Sequence, residues 1–306
     1  MNNIKLTIVL FFVFGFQILG QNTYDFLRLD SSPRASALGG AYIADNLDPN
    51  IIFYNPAGIT NIENIPISFS FLKHLSDINS FSLASTFNLE GIGKFGSALQ
   101  YINYGKFEER DEAGNEIGSF TPSDMALTIS YGNNFNENIT YGASLKLIYS
   151  NIASYTSFGI AGDLGMQYLL PESGWNFGLS LLNIGSQLSY YNETNESLPF
   201  SVQLGASKKL IHTPLQLFFA LTRLNDADRF KFINVGIEFT MSKVIQLRFG
   251  YDNVKREDYK VASTSALGGF SFGVGFDISD YDFDYAFNSM GAIGATHRIG
   301  ITALIK

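Results

Sequence analysis

Over most of its length the chain alternates, residue by residue, between apolar side chains and small or polar ones. In 139–149, Ile139, Tyr141, Ala143, Leu145, Leu147 and Tyr149 share one face, against Thr140, Gly142, Ser144 and Lys146. The next segment sets Phe158, Ile160, Leu164, Met166 and Tyr168 against Gly159, Ala161, Asp163, Gly165 and Gln167. Trp175, Phe177, Leu179 and Leu181 oppose Asn176, Gly178 and Ser180, and Ile233, Val235, Ile237 and Phe239 oppose Asn234, Gly236, Glu238 and Thr240. Phe270, Phe272, Val274, Phe276 and Ile278 oppose Ser271, Gly273, Gly275 and Asp277. A period of two is the signature of β-strands with one apolar face.

The pattern predicts about 14 strands, near 64–74, 78–88, 93–104, 121–133, 137–150, 156–169, 174–184, 198–209, 214–224, 230–240, 243–252, 265–278, 280–287 and 293–305. Many exceed the five or six residues usual in soluble sheets. Loops after odd-numbered strands tend to be long and polar, as at Gly105–Phe120, Gly185–Ser197 and Asn253–Thr264. Loops after even-numbered strands are tight: NNFNE, LPESG, IHTP, TMS and a turn near Ser279. That asymmetry, with an even strand count, describes an all-β transmembrane antiparallel barrel with its turns and both termini on the periplasmic side. A secreted soluble sandwich also alternates, but its outward face should carry Lys and Glu. The polar face here is mostly Gly, Ser, Thr and Asn, which suits a lumen. Tyr101, Tyr104, Tyr131, Tyr149, Tyr168, Phe249 and Tyr251 stand near strand ends as an interfacial girdle.

Composition fits a membrane-facing exterior. Hydrophobic residues make up 46% and charged residues 16%, against about 25% charged in soluble domains. The net charge of −8 argues against nucleic acid as a partner. With no cysteine there are no disulfides, thiolate metal sites or Cys nucleophiles. Residues 1–20, with Lys5 and then an apolar run from Leu6 to about Leu19, read as a signal peptide. The protein is therefore expected to be exported.

Residues 21–63 have no strand slot. A barrel of this size leaves a lumen to be filled, so this segment is expected to be a plug, with the barrel over 64–306. Arg34 to Ala44 suits a short helix, with Pro33 at its start and Gly39-Gly40 at its end. Asn55-Pro56-Ala57-Gly58 reads as a turn into the first strand.

These residues carry a resemblance. TYDFLRLDSSPRASALGGAYIA followed by IIFYNPAGI resembles the start of the PorV/PorQ family, within the FadL-like outer-membrane barrels. PRASALGG and YINYGKFEERDEAGNEIGSF followed by SD look closest to PorQ. Only the first forty mature residues are motif-like; the rest matches as a barrel pattern. The resemblance implies 14 strands, an N-terminal hatch and a non-enzymatic scaffold of the type IX secretion system. Its partners would be outer-membrane lipid, a PorZ-like protein and a PorU-like sortase that attaches cargo at the cell surface, docking on the three long loops. The chain departs from many outer-membrane barrels in ending Leu304-Ile305-Lys306 without a terminal aromatic residue. The alternative is a FadL-like transporter of hydrophobic small molecules, which needs an apolar path and a gap beside the plug. Small inward residues (Ser144, Gly159, Gly178, Ser180, Asn234, Gly273) favour the scaffold, whereas inward Ile148 and Phe218 favour the transporter.

Enzyme chemistry finds little support and no cofactor is expected. His74, His212 and His297 lack metal-ligand spacing, and no HExxH, GxSxG or phosphate-loop pattern occurs. His74, Ser76 and Asp77 could suggest a rim hydrolase, but they read better as a polar loop. His297 has outward parity and reads as interfacial. Gly273-Val274-Gly275 sits inside a strand, where glycine permits close packing against a plug. Asp45, Asp48 and Asn50 lack the glycine and glutamate of a calcium loop and read as polar plug residues. Lys146, Asp163, Glu238, Arg248, Asp277 and Arg298 all have inward parity. Lys146 is expected near Asp163 and Glu238 near Arg248, and Arg34 is expected to meet an inward carboxylate.

Overall fold

The computed structural model describes residues 22–192, 194–259 and 267–305. The expected signal peptide and residues 260–264 of the third long loop lie outside the described residues. The strands are β1 (Ile65–Lys73), β2 (Asn79–Leu89), β3 (Gly93–Asn103), β4 (Phe107–Arg110), β5 (Glu116–Phe120), β6 (Ser123–Asn134), β7 (Ile139–Ile152) and β8 (Tyr155–Leu170). They continue as β9 (Trp175–Ser189), β10 (Ser201–Lys209), β11 (Leu215–Leu221), β12 (Ile233–Thr240), β13 (Ile245–Asp252), β14 (Phe270–Ile278), β15 (Tyr281–Ser289) and β16 (Ala295–Ile305). All except β4 and β5 form a closed 14-stranded antiparallel barrel, sealed by the pairing of β1 with β16.

Alternation fixes which side of the wall each residue faces. In β7 the burial pattern switches at every residue for most of the strand, with Thr140, Gly142, Ser144, Lys146 and Ile148 inward. Leu145 and Leu147 point outward and are about half exposed, at 50% and 51%. Outward Leu, Ile and Phe recur around the barrel, an apolar exterior that matches lipid rather than water. No helix among the described residues is long and apolar enough to cross a membrane.

Several boundaries differ from the sequence reading. The loop expected over 105–120 contains the β4–β5 hairpin, a separate two-stranded sheet. β9 runs on to Ser189, into the loop expected from Gly185. β10 starts only at Ser201, after Pro199, which has no N–H for a ladder. β7 and β8 are joined at the long-loop end by the two residues Ala153 and Ser154, with Ala153 at φ 53°. Tyr104 is no girdle residue: it packs among buried side chains and its hydroxyl donates to Asp124 at 2.6 Å.

The segment from Asn22 to Ile62 lies inside the barrel. It uses one local device three times: a small polar residue caps a short helix that begins with proline. Ser32 caps α1 (Pro33–Ala37), Asp48 caps a 3₁₀ turn at Pro49–Phe53, and Asn55 caps another at Pro56–Asn61. Proline is suited to a first helical position, and the cap satisfies an otherwise orphaned N–H. α1 is shorter than the expected Arg34–Ala44 helix because Gly39 (φ 66°) and Gly40 (φ 80°) take the left-handed conformation straight after it. The NPAG stretch starts a helical turn rather than a simple bend.

The expectation that both termini lie at the turn end needs correction. β1 starts and β16 ends there, but the first described residues sit at the opposite, loop end. Asn22 bridges Ser197, in the loop between β9 and β10. The segment therefore descends through the lumen before β1 begins, because its apolar residues are buried at both levels.

Candidate functional site

The lumen is organised around Arg34, which α1 places against the wall. Arg34 is buried, at 7% exposure. Its Nε and Nη2 donate to the two carboxylate oxygens of Glu238 on β12, at 2.9 and 3.2 Å. Its Nη1 reaches Asp45 Oδ2 at 3.1 Å and the Tyr42 hydroxyl at 3.0 Å. Glu238 also accepts from Arg248 Nε on β13 at 2.7 Å, and Arg248 pairs with Asp284 on β15. Two arginines and three carboxylates thus form one buried network that ties plug to wall. Such a fork-shaped guanidinium–carboxylate contact is both strong and directional.

The remaining lumen charges behave differently. Lys146 pairs with Asp163 at 2.8 Å and donates to Asn183 at 2.7 Å, within the wall and away from the plug. Asp277 accepts from Gln246 at 2.6 Å and, among the described residues, bonds no plug residue. Arg298 is buried, but among the described residues no carboxylate lies within ion-pair distance of it. Asp30 lies nearby and pairs instead with Lys255 at 2.9 Å. Lys255 belongs to α2 (Asn253–Asp258) in the third long loop, so a loop residue clamps the plug from outside.

Wall glycines let the plug approach. Gly132, Gly142 and Gly165 are register partners on β6, β7 and β8, and all face plug atoms. A Cβ on Gly142 would stand 2.6 Å from the Pro56 carbonyl oxygen and 2.7 Å from Ala57 N. On Gly300 it would stand 2.8 Å from Pro33 Cγ. Gly178, Gly205, Gly236, Gly250 and Gly273 meet Ile43, Leu38, Gly39 and Ala37 in the same way. Gly273 therefore does pack against the plug, as expected.

Polar side chains complete the seal by capturing plug backbone. Asn55, fully buried, accepts from Ala57 N at 3.1 Å and donates to Ile43 O and Met166 O at 3.0 and 3.2 Å. Gln167 donates to Asp45 O at 2.7 Å, and Asn288 donates to Ser36 O at 2.9 Å. Asn55→Ala should cost about 1–3 kcal/mol by orphaning these groups. Thermal melting followed by β-sheet circular dichroism will register it as a lower midpoint than wild type.

At the loop end an apolar cluster lies beside the buried polar side chains Asp124, Ser150, Ser157 and Gln187. Tyr24 and Phe26 of the plug pack with Ile102, Ala126, Ile148 and Leu198. Next to this cluster β9 outlasts its neighbour β10. β9 pairs with β10 only as far as Leu182 and Ser201. At Asn183 (φ 60°) the β8–β9 register shifts, and Asn183 N donates to Asp163 at 2.8 Å. Beyond this bulge β9 continues with no β10 partner, covered by residues 196–199: Asn183 donates to Pro199 O at 3.2 Å and Glu196 N to Gln187 at 2.8 Å.

The other residues singled out in the sequence have ordinary roles. Among the described residues no hydrogen bond joins His74 to Ser76 or Asp77. Burial, aided by nearby Arg298 and Lys255, pushes His74 down to about 4. His297 faces outward and bonds Tyr285 at 2.8 Å. Asp48 is engaged by Tyr42 and Asn50. Sequence reasoning missed Asp284, the Asp30–Lys255 clamp and the Asn183 bulge. Asp284 had a signal, since Asp282, Asp284 and Ala286 alternate with Phe283, Tyr285 and Phe287.

Comparison with solved structures places this architecture. The toluene transporter TbuX of Ralstonia pickettii superposes with a TM-score of 0.59 at 14% identity, over 92% of this chain and all of the other. The fold is FadL-like. The toluene transporter TodX of Pseudomonas putida gives 0.59 at 13% identity over 94% of this chain and 98% of its own. A FadL homologue of Pseudomonas aeruginosa gives 0.58 at 9% identity over 90% and 98%. No protein-family model and no curated protein matches the sequence.

Proposed function

We propose that the chain is an outer-membrane channel for small hydrophobic molecules, closed by its own N-terminal segment. The observation that carries this reading is the end of β9–β10 pairing at Leu182, where β9 outruns β10 beside the apolar cluster around Tyr24 and Phe26. Tyr24 and Phe26 occupy the space an apolar solute would take. This segment is held by the Thr23–Ser197 bond at 2.9 Å, the Tyr24 hydroxyl on Ser157, Gln100 on Phe26 O at 3.1 Å and the packing of Tyr24 and Phe26 in a buried cluster. Withdrawal of Tyr24 and Phe26 would open space for an apolar solute beside the unpaired end of β9. The solved transporters of the same fold support the assignment. Cells lacking other hydrocarbon channels should take up radiolabelled toluene several-fold faster when they express this protein. Uptake equal to that of vector-only cells would sink the reading.

A second reading has its own support. The mid-lumen layer of the plug is sealed by glycines against backbone, and the β4–β5 hairpin stands out from the loop end with Phe107 and Ile117 exposed. A closed barrel with a projecting hairpin suits a type IX secretion scaffold of the PorV/PorQ kind, with outer-membrane lipid around it and PorZ-like and PorU-like proteins on its loops. Affinity capture from native membranes distinguishes the two: sortase-like partners in stoichiometric yield favour the scaffold, and co-purified apolar solute without protein partners favours the channel.

A further inference from the structure

Helix α2 and the plug meet in one charge pair. Asp30 of the plug pairs with Lys255 of α2 at 2.9 Å, and its other carboxylate oxygen stands 3.5 Å from the Tyr54 hydroxyl. Lys255 has a second carboxylate in its own segment, Asp252 at 3.2 Å. Asp30 also lies within reach of a second cation. The charge of Arg298 on β16 acts on both Asp30 and Tyr54. Two cations thus compete for one plug carboxylate.

The two cations are held very differently. Arg298 stands on a barrel strand and is buried. Among the described residues it forms no ion pair, and its Nε has no hydrogen-bond partner. A buried guanidinium without a carboxylate is costly, so it favours any carboxylate that can reach it. Lys255 stands on a six-residue helix with no buried residue. That helix is anchored to the neighbouring loop through Asn253, which donates to Lys231 O at 3.0 Å. A short segment without buried side chains opens far more readily than the strands beneath it.

This placement gives the carboxylate a partner in each of two arrangements. With α2 down, Asp30 meets Lys255. With α2 raised, Lys255 keeps Asp252, and Asp30 is free to meet Arg298. No carboxylate is left bare in either arrangement, so the plug keeps its seat while the rim opens. A plug carboxylate held by Lys255 alone would be stranded each time α2 moved.

We propose that α2 is a latch over the plug, and that Asp30 passes from Lys255 to Arg298 when α2 lifts. The latch acts on the plug whatever the barrel passes, so amide hydrogen exchange of the full chain in detergent reads it without any uptake assay. Lys255→Met and Arg298→Met each leave Asp30 one cation, and each should speed exchange of the plug segment 29–38 by less than about threefold. The double variant strands Asp30 and should speed it by about thirtyfold, well beyond the product of the single effects. In an Asp30→Asn background that excess should vanish. Arg298→Lys combined with Lys255→Met keeps a second cation and should behave like Lys255→Met alone. Heat-modifiable gel mobility identifies the folded barrels. A structure of Lys255→Met should show Asp30 paired with Arg298. A double variant no faster than the product of its singles, an excess that persists without Asp30, or a Lys255→Met structure with Asp30 turned away from Arg298 would overturn the latch.

Discussion

Glu238→Ala should turn a closed barrel into a leaky one. In planar bilayers the wild-type protein is expected to be nearly silent, and the variant to show frequent conductance bursts. Glu238 is the one carboxylate shared by Arg34 of the plug and Arg248 of the wall. Its loss leaves two buried guanidinium groups facing each other, with only Asp45 and Asp284 to compensate. Breaking a buried pair by removing one partner costs about 3–5 kcal/mol. That shifts the docked-to-displaced equilibrium of the plug by roughly a hundred- to several-thousand-fold. The barrel hydrogen bonds are untouched, so the strands should survive while the plug loosens. Lys231→Ala, which removes an exposed pair with Asp228, should leave conductance at the wild-type level. Silent Glu238→Ala barrels would mean that the glycine and amide contacts hold the plug without the charge network.

Gly142→Val should displace the plug by a different route. Valine favours strands, so β7 itself gains. The new side chain, however, would meet the backbone of Pro56 and Ala57, which has no rotamer with which to move aside. Overpacking of this kind typically costs about 1–3 kcal/mol, here set against plug docking rather than barrel formation. Limited trypsin digestion reports it. Arg34 is buried in the wild type and should resist cleavage, whereas the variant should be cut there while its barrel retains heat-modifiable mobility. Gly162→Ala is the matched control, since its added methyl would meet nothing closer than 3.5 Å. Equal protection of Arg34 in Gly142→Val would show that the plug can shift without loss.

The strands were legible because a membrane barrel imposes one demand on every residue. Leu145 must face lipid and Ser144 the lumen, so the alternation survives without tertiary information. The same parity predicted that Lys146 meets Asp163, Glu238 meets Arg248, and Arg34 meets an inward carboxylate. It could not rank the charges by height. Asp277 and Arg298 share the parity of Glu238, yet they sit at levels where Arg34 does not reach. Features that break the alternation were invisible for the same reason. The Asn183 bulge inserts a residue and resets the faces of β9, so that Gln187 turns inward. The Asp30–Lys255 clamp joins residues 225 positions apart and depends on how a loop folds over the barrel rim. The plug path was misjudged because a periodic pattern gives no sense of direction for a segment that has none.

In a channel of this kind, the segment around Tyr24 must leave its place at the loop end for a solute to pass. Asn22 and Ser197 are bridge partners, a spacing compatible with a disulfide, and the chain has no cysteine of its own. An Asn22→Cys, Ser197→Cys double variant can therefore be tethered by oxidation and released by reduction. Radiolabelled toluene uptake should fall to the vector-only level when the pair is oxidised and return to the wild-type rate on reduction. Equal uptake in the oxidised and reduced states would contradict the account.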